Sequence, residues 1–165
     1  QDKYSYEKYL GSSEQIADTI KKFSTIPAYD IKSIFEITLF NYLFGNTDAH
    51  LKNFSILVKN EKNNQTISLS PFYDLVSTKC LLDDEDDLAL NINGTKRNLK
   101  KDDFKAFANY LKLGPKLLDK FLDKSTAMVP VITRTVELSF LPNNHKKTFL
   151  NLYLEKLEIL LCVLQ

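Results

Sequence analysis

Gly45-Asn46-Thr47-Asp48-Ala49-His50-Leu51-Lys52-Asn53-Phe54 and, further on, Leu69-Ser70-Pro71-Phe72-Tyr73-Asp74 are the segments on which the reading of this chain turns. Gly45 can take a positive φ, and the Asn-Thr-Asp that follows favours turns over helix interiors, so a helix should stop here and a polar loop begin. Asp48 and Asn53 stand at Asp-x-x-x-x-Asn spacing, and a second carboxylate, Asp74, follows Asn53 by 21 residues. Between them lie two short runs rich in β-formers, Phe54–Lys59 and Thr66–Ser70, separated by the polar stretch EKNNQ. They predict a two-stranded hairpin that Pro71 closes. Three oxygen-bearing side chains then converge on one loop region.

Working outward, Ile16, Ala17 and Ile20 recur at helical spacing after a Ser-Ser cap with Glu14 close behind, which predicts an amphipathic helix from Ser12 to Phe23. Pro27 ends any continuation, and Asp30 is expected to cap a second helix running to about Phe44. Ile31, Ile34, Phe35, Thr38, Leu39 and Tyr42 give that helix one broad apolar face, so it should be nearly buried. Asp83-Asp84-Glu85-Asp86-Asp87 is a run of like charges expected to be exposed and mobile. Leu88–Ile92 reads as a short strand. Lys101–Leu111, Pro115–Leu122, Ala127–Phe140 and Asn144–Leu164 all carry apolar spacing near 3.6, with Pro130 near a helix start or kink. No internal repeat or linker divides the chain, so the expected fold is mainly α with one small β hairpin, an α+β lobe.

Composition narrows the function classes. The 165 residues suit one ordinary globular domain. Twenty-two basic residues against 21 acidic leave a net charge of +1, too little for a global field that would hold nucleic acid or an anionic membrane. Cys80 and Cys162 stand far apart without CxxC spacing, which fits a reducing compartment and a cytoplasmic location. The apolar run Ile159–Leu164 is far too short to span a bilayer, and the opening QDKYSYEKYL is polar rather than signal-like, so no membrane partner is expected. A first residue of Gln1 rather than methionine leads us to expect further chain in the parent protein.

Phosphoryl transfer from ATP asks for a carboxylate to orient and deprotonate an acceptor hydroxyl, together with hard oxygen ligands for magnesium. Asp48, Asn53 and Asp74 supply both, and in the protein-kinase catalytic loop a base Asp and a magnesium-binding Asn stand at this same spacing, with a metal-binding Asp beyond. GNTDAHLKNF with SPFYDL resembles the signature of the HipA-like serine/threonine kinases, bacterial toxins of toxin–antitoxin pairs. The opening YEKYLGSSEQIADTIKKFS, the long helix before the loop and the helical tail resemble that family's C-terminal domain across most of the chain.

The resemblance implies a protein-kinase-like C-terminal lobe occupying residues 1–165, with the lobe that covers ATP encoded elsewhere in the parent. It implies Asp48 as catalytic base, Asn53 and Asp74 as magnesium ligands in contact with ATP-Mg2+, a protein substrate bearing a Ser or Thr hydroxyl, and an antitoxin partner with a DNA-binding domain. His50 and Lys52 are further candidate catalytic residues. His50 either packs in the loop and hydrogen-bonds backbone to hold Asp48, or touches phosphate or substrate; Lys52 is open between phosphate contact and plain surface charge. Lys112, Lys116, Lys120 and Lys124 recur every four residues beside Asp119 and Asp123, which reads as a solvated helix face rather than a phosphate-binding stripe, and His145-Lys146-Lys147 as a solvated helix start.

Gly11, Gly45, Gly94 and Gly114 are the only glycines, and no G-x-G-x-x-G exists, so this chain is expected to carry half a nucleotide site and to lack normal turnover by itself. Two other readings stand beside the kinase. One is a degenerate lobe acting as a protein-interaction module; the other is a small-molecule phosphotransferase of the aminoglycoside kind, against which the flanking sequence argues.

Overall fold

The computed structural model describes residues 7–61, 64–82 and 86–162. Among these residues six helices and one hairpin run in the order α1 (Ser13–Phe23), α2 (Pro27–Phe44), β1 (Ile56–Glu61), β2 (Asn64–Leu69), α3 (Lys101–Tyr110), α4 (Lys116–Ala127), α5 (Val129–Leu138) and α6 (Asn143–Leu161), with 3-10 turns at Leu51–Asn53 and Thr78–Cys80. The mainly α, α+β architecture is the expected one.

α2 is the central element. Ile34, Phe35, Leu39 and Tyr42 are wholly buried, and α1, α3, α6 and β2 all pack on it. A helix packed on several sides carries little polar surface, here confined to a strip that includes Lys32 and Glu36. Its start differs from expectation: Pro27 opens the helix, since the missing N–H of a proline costs nothing in the first turn. Asp30 is therefore not the cap. It lies buried in the first turn, where it accepts from Ser24 Oγ at 2.6 Å and from the Leu69 N–H at 2.9 Å.

That second bond moors the hairpin. β1 and β2 pair antiparallel from Ile56↔Leu69 to Glu61↔Asn64, so the strands extend further into the polar stretch than apolar patterning indicated. Backbone pairing continues to the turn whatever the side chains. A lone two-stranded hairpin is marginal in water; here Thr25 N–H donates to the Ile67 carbonyl at 2.8 Å and Asp30 holds Leu69, which ties β2 to the α1–α2 corner.

Helix α1 is capped by Ser12, whose hydroxyl accepts from Gln15 N–H while the Gln15 side chain accepts from Ser12 N–H. The expected strand at Leu88–Ile92 is absent. Leu88, Ala89, Leu90 and Ile92 are buried, but the segment meets only single bridges, Ser12↔Asn91 and Ile92↔Thr95. Its neighbour is a helix cap, which offers one bonding position and no ladder.

The acidic run also departs from expectation. Residues 83–85 lie outside the described ones, as do the first six residues and the last three. Asp87, however, is 5% exposed. It pairs with Lys156 of α6 and with Lys79 at 3.2 Å and accepts from the Leu99 N–H at 3.0 Å. Burial opposes its charge, but the Lys156 ammonium, the Leu99 N–H and Lys79 outweigh it and hold the carboxyl below its usual range. Charge repulsion within a run predicts exposure only when no cations fold onto it.

Candidate functional site

The chain leaves α2 through Gly45, whose φ of 64° is left-handed and turns the backbone so that the Asn46 N–H returns to the Asn41 carbonyl at 2.9 Å. A Cβ here would lie 2.5 Å from Leu152 Cδ2 and 3.0 Å from Lys79 Cβ, so a side chain would have to displace Leu152 as well as take a strained backbone. Next comes Asn46, 2% exposed. Its Nδ2 donates to Asn41 Oδ1 at 3.2 Å and to the Asp74 carbonyl at 3.4 Å, while its Oδ1 accepts from the Asp48 N–H at 3.2 Å. One buried amide thus joins the backbone of Asp48 to that of Asp74. Thr47 N–H donates to Thr78 Oγ1 at 2.8 Å, and Lys79 N–H to the Gly45 carbonyl at 3.0 Å, which clamps the loop against the segment following Asp74.

The 3-10 turn at Leu51–Asn53 then turns Asn53 back. Asn53 Oδ1 accepts from the His50 N–H at 3.0 Å, and Asn53 Nδ2 donates to Asp74 Oδ2 at 2.8 Å. The two proposed metal-holding side chains, 21 residues apart, are therefore in direct contact. Asp74 itself has a φ of 58°. A non-glycine residue in the left-handed region is held there by its surroundings; here these are Asn46 on its carbonyl and Asn53 on its carboxylate.

Asp48 is partly open to solvent, with 43% of its side chain exposed. Its Oδ1 accepts from the Tyr9 hydroxyl, lies 3.6 Å from Lys8 Nζ and 4.0 Å from His50 Nε2. His50 is buried and meets the Tyr9 ring edge-on at 5.4 Å between centroids. Burial, reinforced by the Lys8 charge, lowers its pKa below the ordinary imidazole value. Its Nδ1 is buried with no hydrogen-bond partner among the described residues, so the expected bond from this ring to backbone is not made through that atom. Lys52 is exposed; its carbonyl, rather than its ammonium, is engaged, accepting from Tyr73 Oη at 2.9 Å.

The structure thus brings Asp48, His50, Asn53 and Asp74 into one bonded cluster and leaves the Lys52 side chain at the surface. Sequence reasoning missed Asn46, Lys8 and Tyr9. Asn46 could have been found by asking what satisfies a polar side chain at the buried end of an apolar helix, since buried amides need partners. Tyr9 gives no such signal, because its contact spans 39 residues.

Asn53 and Asp74 offer an amide and a carboxylate, the hard oxygens magnesium prefers, and among the described residues no group of three or more acidic, His or Cys side chains makes a closed cage. In this arrangement only Asp74 presents free carboxylate oxygen, because Asn53 Oδ1 accepts from the His50 N–H and Nδ2 faces Asp74; magnesium held by both side chains, with waters and phosphate oxygens completing its shell, requires the Asn53 amide to turn its oxygen toward Asp74.

Three comparisons bear on the whole. The chain is 37% identical over 91 residues to "Putative kinase Y4dM" and 32% identical over 99 residues to "Putative kinase Y4mE", both of Sinorhizobium fredii; these alignments take in 54% and 59% of this chain and 22% and 23% of the relatives. It is 27% identical over 171 residues to a "Putative kinase" of Haemophilus influenzae, covering 93% of this chain and 49% of that one. The chain therefore matches between about a quarter and a half of the length of these relatives. Its fold matches, with a TM-score of 0.74 and 22% identity over 91% of this chain and 36% of the other, a chain of the Shewanella oneidensis HipA–HipB toxin–antitoxin complex with operator DNA. The model of the HipA-like C-terminal domain matches residues 1–136, and the chain is a member of that family.

Proposed function

We propose that this chain is the catalytic-loop-bearing lobe of an ATP-dependent protein kinase that phosphorylates a Ser or Thr hydroxyl, working with an ATP-covering lobe supplied by the rest of its parent. The observation that carries the reading is the bond between Asn53 and Asp74 beside the loop of Asp48.

In this reading the Asp48 carboxylate accepts the proton of the acceptor hydroxyl as that oxygen forms its bond to the γ-phosphorus and the bond to the bridging oxygen of ADP breaks. Asp74, and Asn53 once its amide oxygen turns from the His50 N–H, would hold magnesium, which when bound would neutralise phosphate charge. Asn46 fixes the backbone spacing between the base and the metal-holding carboxylate, and the neutral His50 ring walls the loop without adding charge beside Asp48. A HipB-like antitoxin is the partner suggested by the structural relative.

The test is magnesium-dependent ATP binding by the full-length parent, followed calorimetrically. Binding that Asp74→Ala abolishes supports the enzyme. Equal binding without magnesium, or none at all, supports instead a non-catalytic interaction lobe.

A further inference from the structure

A groove of about 600 Å³ opens between α2, α4 and the start of α5. Its floor is apolar, built by Phe40, Phe44, Phe72, Phe121 and Ile132, with Met128 39% exposed at one lip. Its two hydroxyls are already bonded: Ser125 Oγ donates to the Phe121 carbonyl at 2.8 Å, and Tyr153 Oη to the Ser125 carbonyl at 3.0 Å. Among the described residues no buried side-chain polar atom of the groove lacks a hydrogen-bond partner, so recognition here runs through apolar side chains and the charges at its lip.

The charge is one-sided. Lys32 on the α2 wall is ion-paired with Glu36 at 3.0 Å and cancels it. Lys120 and Lys124, one turn apart on α4, line the other wall, are exposed, and take part in no ion pair among the described residues. The lysine stripe that reads from sequence as a solvated face thus has two members at the lip of an apolar groove.

We propose that this groove is the docking site for an acidic amphipathic helix of a partner protein, its apolar side chains on the phenylalanine floor and its carboxylates against Lys120 and Lys124. A 12-residue α4 gives a wall about 18 Å long, room for roughly three turns of a docked helix with anchors at i, i+4 and i+7. A second copy of this chain fits poorly, because a two-fold contact across the groove brings the same two lysines face to face. Phe44 immediately precedes Gly45, and Phe72 stands two residues before Asp74, so the docked helix touches both segments leading into the candidate site. Only this last consequence rests on the kinase reading; docking itself does not.

The test uses the 165-residue chain and a fluorescein-labelled, amidated helical peptide of about 16 residues with a Leu/Phe stripe flanked by Glu, beside a twin carrying Lys for every Glu. Anisotropy should show binding of the Glu peptide that weakens as salt rises from about 50 to about 300 mM. Lys120→Glu with Lys124→Glu should weaken it about tenfold or more and favour the Lys twin, and Met128→Glu should weaken it too, with circular dichroism unchanged. Equal affinity for the two peptides, no binding of either, or indifference to the charge reversal overturns the proposal. So does a concentration-dependent dimer, seen by sedimentation, that the Glu peptide fails to dissociate. None of these outcomes bears on nucleotide binding, so docking and the kinase reading fail separately.

Discussion

The Tyr9 hydroxyl donates its hydrogen bond to Asp48 Oδ1, across 39 residues of sequence, and so competes for the carboxylate that takes the acceptor proton in the proposed reading. Burial first, and then this bond, raise the Tyr9 pKa, so the phenol stays protonated and keeps donating at neutral pH. Tyr9→Phe retains the ring against His50 and removes the competing donor. In the full-length parent the acceptor KM should fall about threefold to tenfold, the effect of losing one hydrogen bond of about 1 kcal/mol, with kcat little changed. Steady-state kinetics check this; an unchanged or raised KM rules out competition.

Asp48→Asn keeps an oxygen for Tyr9 to donate to and removes the proton acceptor. Phosphoryl transfer by the parent should drop by about 10²–10⁴-fold at unchanged melting temperature. Single-turnover transfer measures it, and near-normal transfer would take the base role away from Asp48.

His50 titrates below its ordinary value, so the folded loop holds it neutral while the unfolded chain protonates near pH 6.5. Between the folded pKa and about 6.5 the unfolded state binds the extra proton, and stability therefore falls as pH is lowered through that window. Chemical denaturation at a series of pH values should show this slope, and His50→Gln should flatten it.

Asp87→Asn leaves Lys156, whose side chain is 9% exposed, buried beside an uncharged partner. Loss of one member of a buried pair costs about 3–5 kcal/mol, and Lys156→Met added to it should recover part of that. In the unsubstituted chain the Asp87 contribution is present above its unfolded pKa of about 4 and lost as pH falls through the lower folded value. Urea unfolding of the four proteins of this cycle reads the coupling directly.

Gly45→Ala places a Cβ against Leu152 at a left-handed φ, and should cost roughly 1–2 kcal/mol through the backbone alone. Because Gly45 also receives the Lys79 N–H, amide exchange at Lys79 should speed up. Protection unchanged at Lys79 would show that the loop absorbs the side chain elsewhere.

What the sequence by itself determined is local. Helical spacing and the Ser12 cap placed α1 to within a residue, the broad apolar face marked α2 as the buried helix, and Gly45 set its end. These follow from forces acting within a few residues along the chain: caps, turn preferences and periodicity. The Asp48, Asn53 and Asp74 spacing was legible too, and the hairpin between them made their convergence expected. Tertiary structure alone decided that Asp87 is buried on Lys156 rather than exposed, that Asp30 moors a strand rather than capping a helix, that Asn46 bridges the two halves of the site and that Tyr9 reaches Asp48. Each of these joins segments distant in sequence, and a charge or an amide carries no mark of the partner that packing will set against it. Its energy depends on burial and on that partner, both of which exist only once the helices have met.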